Sequence, residues 1–285
     1  MTVPTNLLAE EHQRRWAEAT YSIRSCELAM DGAVDPAPGS LLAEIDQLYR
    51  WEKVSVWSRS YLTAGIEHLL LFADLVAPYD FKEGDINHVR YLSYVMMGRA
   101  GLESAAHALW ILDAVDDERE CAERSLRLMY KDFSYQLQAQ EAGGYRVDLI
   151  EDRMTTTRER AAEVRLGSPA NRPPGYESLV RKAAEAVGRD PARWCYLWNA
   201  ASGAAHGQYW FGMEGYDVAL GEEYEPGHFR TRRLPDPAFI TETVEAAAHA
   251  LLWAVWRWLD VSGYAAQQRL ESALVEVHSR MPKKS

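Results

Sequence analysis

Leu92-Ser-Tyr-Val-Met-Met-Gly-Arg-Ala-Gly-Leu-Glu-Ser-Ala-Ala-His-Ala-Leu-Trp110 is the stretch on which the fold turns. Leu92, Met96, Arg99, Glu103, His107 and Trp110 recur at three- and four-residue intervals, which places them on one face of an α-helix. Apolar residues stand at both ends of the stripe and three ionisable ones in its middle. Turned inward, Arg99, Glu103 and His107 must satisfy one another or a partner, because unpaired buried charge is costly.

The flanking sequence repeats the helical signal. Residues 5–30 read as a first helix, closed by the breaker run Asp31 to Gly39. Ser40 then caps one long helical stretch through Val76, with Trp57, Tyr61, Ala64, His68 and Leu71 on an apolar face and Glu67–His68 as a polar interruption. Asp85 opens the helix that carries the quoted stretch to about Leu112. Asp116 and Asp117 start a fourth, which ends at Gly143-Gly144, and a polar, exposed fifth runs from Val147 to Arg165. After the Pro-rich loop Leu166–Gly175 come a short helix from Tyr176 to Gly188 and one opened by Asp190-Pro191 and reaching about Gln208. Pro237–Val261 and Tyr264–Met281 finish the chain. The prediction is an all-α protein, a single multi-helix bundle domain over 1–285. Terminal helices 5–30 and 264–281 pack on a core of 41–260, with a short irregular hairpin or loop inserted near 211–234.

A chain of 285 residues with 47% hydrophobic residues, ten Trp and fifteen Tyr can fill a large aromatic core. Its net charge of −11 argues against general nucleic-acid affinity, since the basic runs Arg230–Arg233 and Lys283-Lys284 are short. Three scattered cysteines (Cys26, Cys121, Cys195) and an N-terminus without a basic or apolar leader imply a cytoplasmic protein. The apolar runs Leu69–Val76 and Ala246–Leu259 are shorter than a bilayer span, so no membrane partner is expected.

A second polar interruption lies after Pro191, where Cys195, Asn199, Ser202, His206 and Tyr209 share a face and small residues around them permit close backbone approach. If this helix adjoins the quoted one, Arg99, Glu103, His107, Ser202 and His206 form one polar pocket. Glu and His there exchange protons while Arg holds a phosphate or carboxylate. Two other readings stand beside it. Arg99–Glu103 can be an intrahelical pair with the histidines satisfied locally, or Glu103, His107 and His206 can supply a two-His, one-carboxylate metal set. No cofactor is implied. Trp253, Trp256 and Trp258, with Trp210 and Phe211, read as core or as a homodimer interface.

From Arg99 to Trp110, with Asp116-Asp-Glu-Arg119, Arg124 and the Ser202 to His206 segment, the chain resembles a group of uncharacterised all-helical proteins common in actinobacteria. That resemblance spans roughly Trp57 to Gln208 and implies a helical fold without an activity. More distantly the chain is similar to the HEPN-like helical proteins of prokaryotic defence, many of which cut RNA as dimers. Their hallmark Arg and His stand closer together than Arg99 and His107 do here. Asp116 to Glu120 and Glu151 to Glu159 also resemble the two metal motifs of class I terpene cyclases. The functions expected are therefore an HEPN-like protein acting on RNA or another small phosphate-containing ligand, with Arg99 on the anion and His107 or His206 as acid and base; a metal-dependent or terpenoid-like small-molecule enzyme; or a non-catalytic binding or scaffold protein.

Overall fold

The computed structural model describes residues 8–80 and 90–282. The expected start of a helix at Asp85 and the basic pair Lys283-Lys284 lie outside them. The described chain is mainly helical, with one two-stranded sheet. The helices are α1 (Glu10–Met30), α2 (Leu41–Leu48), α3 (Val54–Val76), α4 (Tyr91–Leu112), α5 (Glu118–Gly143), α6 (Asp148–Glu163), α7 (Tyr176–Ala186), α8 (Pro191–Ala205), α9 (Phe211–Glu214), α10 (Pro237–Val261) and α11 (Ala266–Arg280). The expected insertion is α9 followed by the antiparallel hairpin β1 (Tyr216–Glu225) and β2 (His228–Pro235).

α10 is the central helix. Asp236 caps it by accepting from the Ala238 amide, Pro237 occupies its first turn, and it packs against α1, α3, α4, α8 and α11. Among the described helices it alone has the length and apolarity to cross a bilayer, which the shorter run Ala246–Leu259 had concealed. Two thirds of that apolar window are buried by neighbouring helices, as in a core helix.

α4 crosses α3 and α10 through glycines. A Cβ on Gly101 would stand 2.6 Å from Leu69 Cγ, and one on Gly98 would stand 2.9 Å from Thr243 Cγ2. Hydrogen at these positions is what permits the close approach. The inward face of α4 is consequently Tyr94, Val95, Gly98, Gly101, Leu102 and Ala105, while Leu92 is exposed and Met96, Arg99 and Glu103 lie at its flank. The stripe read from the sequence turns to pack at its C-terminal end, where His107 and Trp110 are buried.

The long second helix is two helices. Tyr49 is buried between them, and Asp46 reaches back from α2 to cap α3, accepting from the Ser55 amide at 3.0 Å and the Ser55 hydroxyl at 2.6 Å. A cap from nine residues upstream leaves no local start signal, which is why the break is hidden in the sequence. The core face of α3 is Leu62, Ile66, Leu69 and Phe72, so His68 and Leu71 face outward and Glu67–His68 is an exposed pair.

α5 starts at its Asp117 cap and ends at Gly144, whose φ of 69° is the left-handed stop that glycine favours. α6 returns antiparallel to it, with Gly167 beyond its end donating to Glu123 Oε1 at 2.8 Å near the start of α5. Asp116 and Asp152 therefore lie at opposite ends of α5, about 39 Å long at the usual helical rise. The terpene-cyclase-like motifs do not face each other, and Asp117 is a helix cap.

Candidate functional site

The centre of α4 carries two adjoining polar arrangements. In the first, Glu103 Oε1 accepts from Arg99 Nε at 2.9 Å and from Trp198 Nε1 of α8 at 2.6 Å. The Arg99 guanidinium lies over the Trp198 ring, 5.6 Å from its centroid. Both charged side chains are about four fifths covered, so the pair is desolvated enough to hold α8 against α4. The charge of Arg99 is matched by Glu103.

In the second, one turn on, the His107 ring is 8% exposed and fixed on three sides. It stacks on Tyr61 of α3, with centroids 5.0 Å apart, and meets the Tyr176 ring of α7 edge-on at 5.3 Å. Its Nδ1 lies 2.6 Å from the Glu103 carbonyl oxygen. A carbonyl can only accept, so Nδ1 carries hydrogen and Nε2 is the nitrogen left to take a proton. Burial, opposed by this hydrogen bond and helped by the charge of Lys131, lowers the His107 pKa from its ordinary value. The neutral imidazole is thus the resting form near neutrality.

His107 and Glu103 border a cavity of about 210 Å³ whose far wall is α5. Leu128, Lys131, Asp132 and Tyr135 recur there at three- and four-residue spacing and face the opening together. Lys131 Nζ sits over the rings of Tyr176 and Tyr135, 5.0 and 5.5 Å from their centroids. Among the described residues no carboxylate lies within ion-pair distance of Lys131. Asp132 keeps much of its surface open, yet crowding by neighbouring atoms raises its carboxyl pKa. A fixed neutral imidazole and a cation that no carboxylate pairs with can together bind an anion and move a proton, although Glu103 and Asp132 also border the cavity.

The structure thus joins Arg99, Glu103 and His107, and adds Tyr61, Lys131, Asp132, Tyr135 and Tyr176, which the sequence reading left out of the site. Ser202 and His206 do not line this cavity. His206 is the exposed C-cap of α8, about 12 Å along the helix from Trp198, the α8 residue that reaches α4. The small residue at 203 admits the Trp210 indole, which would lie 2.8 Å from a Cβ there, rather than a second backbone. The expected metal set of Glu103, His107 and His206 is not assembled, and among the described residues no three His, Cys, Asp or Glu side chains are grouped to hold a metal ion.

The tryptophan-rich cluster also separates. Trp258 is fully buried and donates to the Ser55 carbonyl, and Phe211 packs on Tyr91 and Phe239. Trp253 and Trp256 form a tilted pair beside a different cavity. No family model, curated protein or solved structure matches this chain.

Proposed function

We propose that the cavity between α3, α4, α5 and α7 binds a small phosphate-containing ligand, a nucleotide or an RNA end, and moves a proton on it through His107. The observation that carries this reading is that a ring-locked His107 and the Lys131 ammonium, which makes no ion pair among the described residues, border one cavity. Lys131 takes the anion-binding role that the sequence suggested for Arg99, since Arg99 already faces Glu103. The Tyr135 and Tyr176 rings, which flank Lys131, supply surfaces for a base or sugar. The volume of about 210 Å³ is below that of ordinary small-molecule pockets, so one end of the ligand enters and the remainder lies outside.

In the proposed step His107 Nε2 accepts the proton of a ligand hydroxyl, the oxygen so freed attacks phosphorus, and Lys131 offsets charge on the phosphoryl oxygens. The departing oxygen takes its proton from water at the open side of the cavity, where Asp132 stands beside Lys131. Calorimetry with uridine monophosphate, together with cleavage of a short oligoribonucleotide, tests both halves. Lys131→Gln should weaken nucleotide binding on the order of tenfold. His107→Gln should abolish cleavage while binding persists. Absence of nucleotide binding at millimolar concentration, or unchanged binding in a folded Lys131→Gln protein, refutes the reading.

A further inference from the structure

A larger cavity lies elsewhere, about 520 Å³ between α1, α10, α11 and the turn that precedes α8. Its wall is apolar, built from Leu252, Trp253, Trp256, Leu270 and Leu274. The two indoles lie 5.1 Å apart at an interplanar angle of 31°, and Trp253 is 44% exposed. A concave wall of apolar and aromatic side chains with a few polar groups beside it is the usual make-up of a small-molecule site.

The polar groups that line this cavity, and those just beyond it, differ in whether they are already engaged. Glu271 accepts from Gln267 at 2.9 Å, and the Ser25 hydroxyl donates to the Tyr21 carbonyl at 2.7 Å. Glu245, one turn from His249 on α10, is held by Arg15 through two bonds. Arg193 at the start of α8 is likewise held by Glu242 of α10 at 2.7 Å. Arg189, one turn earlier and, unlike Arg193, in the cavity wall, has no carboxylate or carbonyl partner for its guanidinium among the described residues. Its charge acts on His249 beside it and, after burial, is the second influence that keeps that imidazole neutral. The aromatic cavity is therefore bordered by an exposed, unpaired cation, Arg189, and its α11 wall presents a carboxylate, Glu271, that disfavours a second negative charge.

We infer that this cavity is a binding site for a small aromatic monocarboxylate, its ring against Trp253 and Trp256 and its carboxylate on Arg189. The volume lies within the range of small-molecule sites. The guanidinium suits a carboxylate because it offers two parallel N–H donors in one plane. The site shares no residue with the His107 cavity, so the two proposals stand or fall separately.

Calorimetry with 1-naphthylacetate and its neutral counterpart 1-naphthylethanol tests the assignment on the full chain. The acid is expected to bind on the order of tenfold more tightly than the alcohol, the difference one charge-assisted contact supplies. Arg189→Gln should remove that preference and leave alcohol binding unchanged. Trp253→Ala should weaken both ligands. Equal binding of acid and alcohol by the parent protein, or no binding of either, overturns the proposal. So does sedimentation showing a dimer that Trp253→Ala dissociates, since the apolar wall would then be a face between two copies. Unchanged melting temperatures in the two exposed-site variants keep each outcome interpretable.

Discussion

Trp198 Nε1 donates to Glu103 Oε1 across 2.6 Å, a single bond that ties α8 to the middle of α4. Trp198→Phe keeps an aromatic ring but deletes the donor and part of the indole, and should lower stability by at least about 1–2 kcal/mol in urea unfolding. Arg99→Gln removes a partly exposed partner of the same oxygen and should cost less, under about 1 kcal/mol. A double-mutant cycle between Trp198→Phe and Glu103→Gln should show coupling, because both changes act on one bond. Strict additivity would mean that the bond contributes nothing to the helix contact.

Why Glu103 looked like a core group in the sequence follows from α4 itself. Its inward positions include Gly98, Gly101 and Ala105, which carry little hydrophobic signal, whereas the larger Leu92, Met96 and Trp110 trace a neighbouring stripe. α3 behaves in the same way, its core row of Leu62, Ile66, Leu69 and Phe72 sitting beside the row of Trp57, Tyr61, Ala64, His68 and Leu71. The order of the helices, apart from the break between α2 and α3, was legible because caps such as Asp117 and Asp190 are local. Which row faces inward was not, since it depends on glycine contacts between helices distant in sequence. Lys131 and Asp132 had a signal that could have been used: they follow the buried Leu128 at helical spacing on α5. Their partnership with His107 depends on tertiary packing that no spacing reveals.

The glycine contact gives a direct test. Gly101→Ala should gain about 1 kcal/mol of helix propensity, yet its methyl would stand 2.6 Å from Leu69 Cγ. Overpacking of this kind costs about 1–3 kcal/mol, so net destabilisation is expected. Adding Leu69→Val should restore part of the loss, and thermal unfolding of the double variant measures how much. A Gly101→Ala protein as stable as the parent would show that the helices do not approach so closely.

His107 gives a pH dependence whose sign is fixed. Its folded-state pKa is lowered, chiefly by burial, so the unfolded chain takes up the proton more readily. The stability associated with neutral His107 is complete above about pH 6.5, the unfolded value, and is lost as pH falls through the lower folded value. His249 shifts in the same direction and adds to the slope. Urea unfolding across this acid range should therefore show a shallower decline for His107→Gln than for the parent chain. Parallel curves would exclude His107 as a contributor.

Asp46 tests the hidden break between α2 and α3. Its carboxylate accepts from both the amide and the hydroxyl of Ser55, two residues into α3, and both side chains are buried. Asp46→Ala should cost about 2 kcal/mol, at the upper end for a lost cap, because the Ser55 groups are left in a dry site. Ser55→Ala removes one of the two bonds and should cost less. Hydrogen exchange should report the loss in the first turn of α3, and a loss spread evenly over the chain would contradict the capping role.

Arg24 and Asp74 form an ion pair whose two halves are unlike, and the asymmetry predicts unequal consequences. The Arg24 side chain is 1% exposed and that of Asp74 is 64% exposed, with 2.9 Å between Nη2 and Oδ1. The guanidinium also lies 3.9 Å from the centre of the Tyr79 ring and donates to Met281 Sδ at 3.1 Å. Removing the carboxylate by Asp74→Asn leaves a covered cation without its counter-charge, a change that costs about 3 kcal/mol or more when the site is dry. Arg24→Met removes the buried charge and keeps an apolar stem of similar length, while Asp74 returns to water. That variant should stay within about 1 kcal/mol of the parent, since an apolar replacement for a buried ion can be neutral. The two unfolding free energies, measured side by side, decide the matter: if Arg24→Met is the more damaging change, the guanidinium stabilises the fold by its own contacts, and the desolvation argument fails.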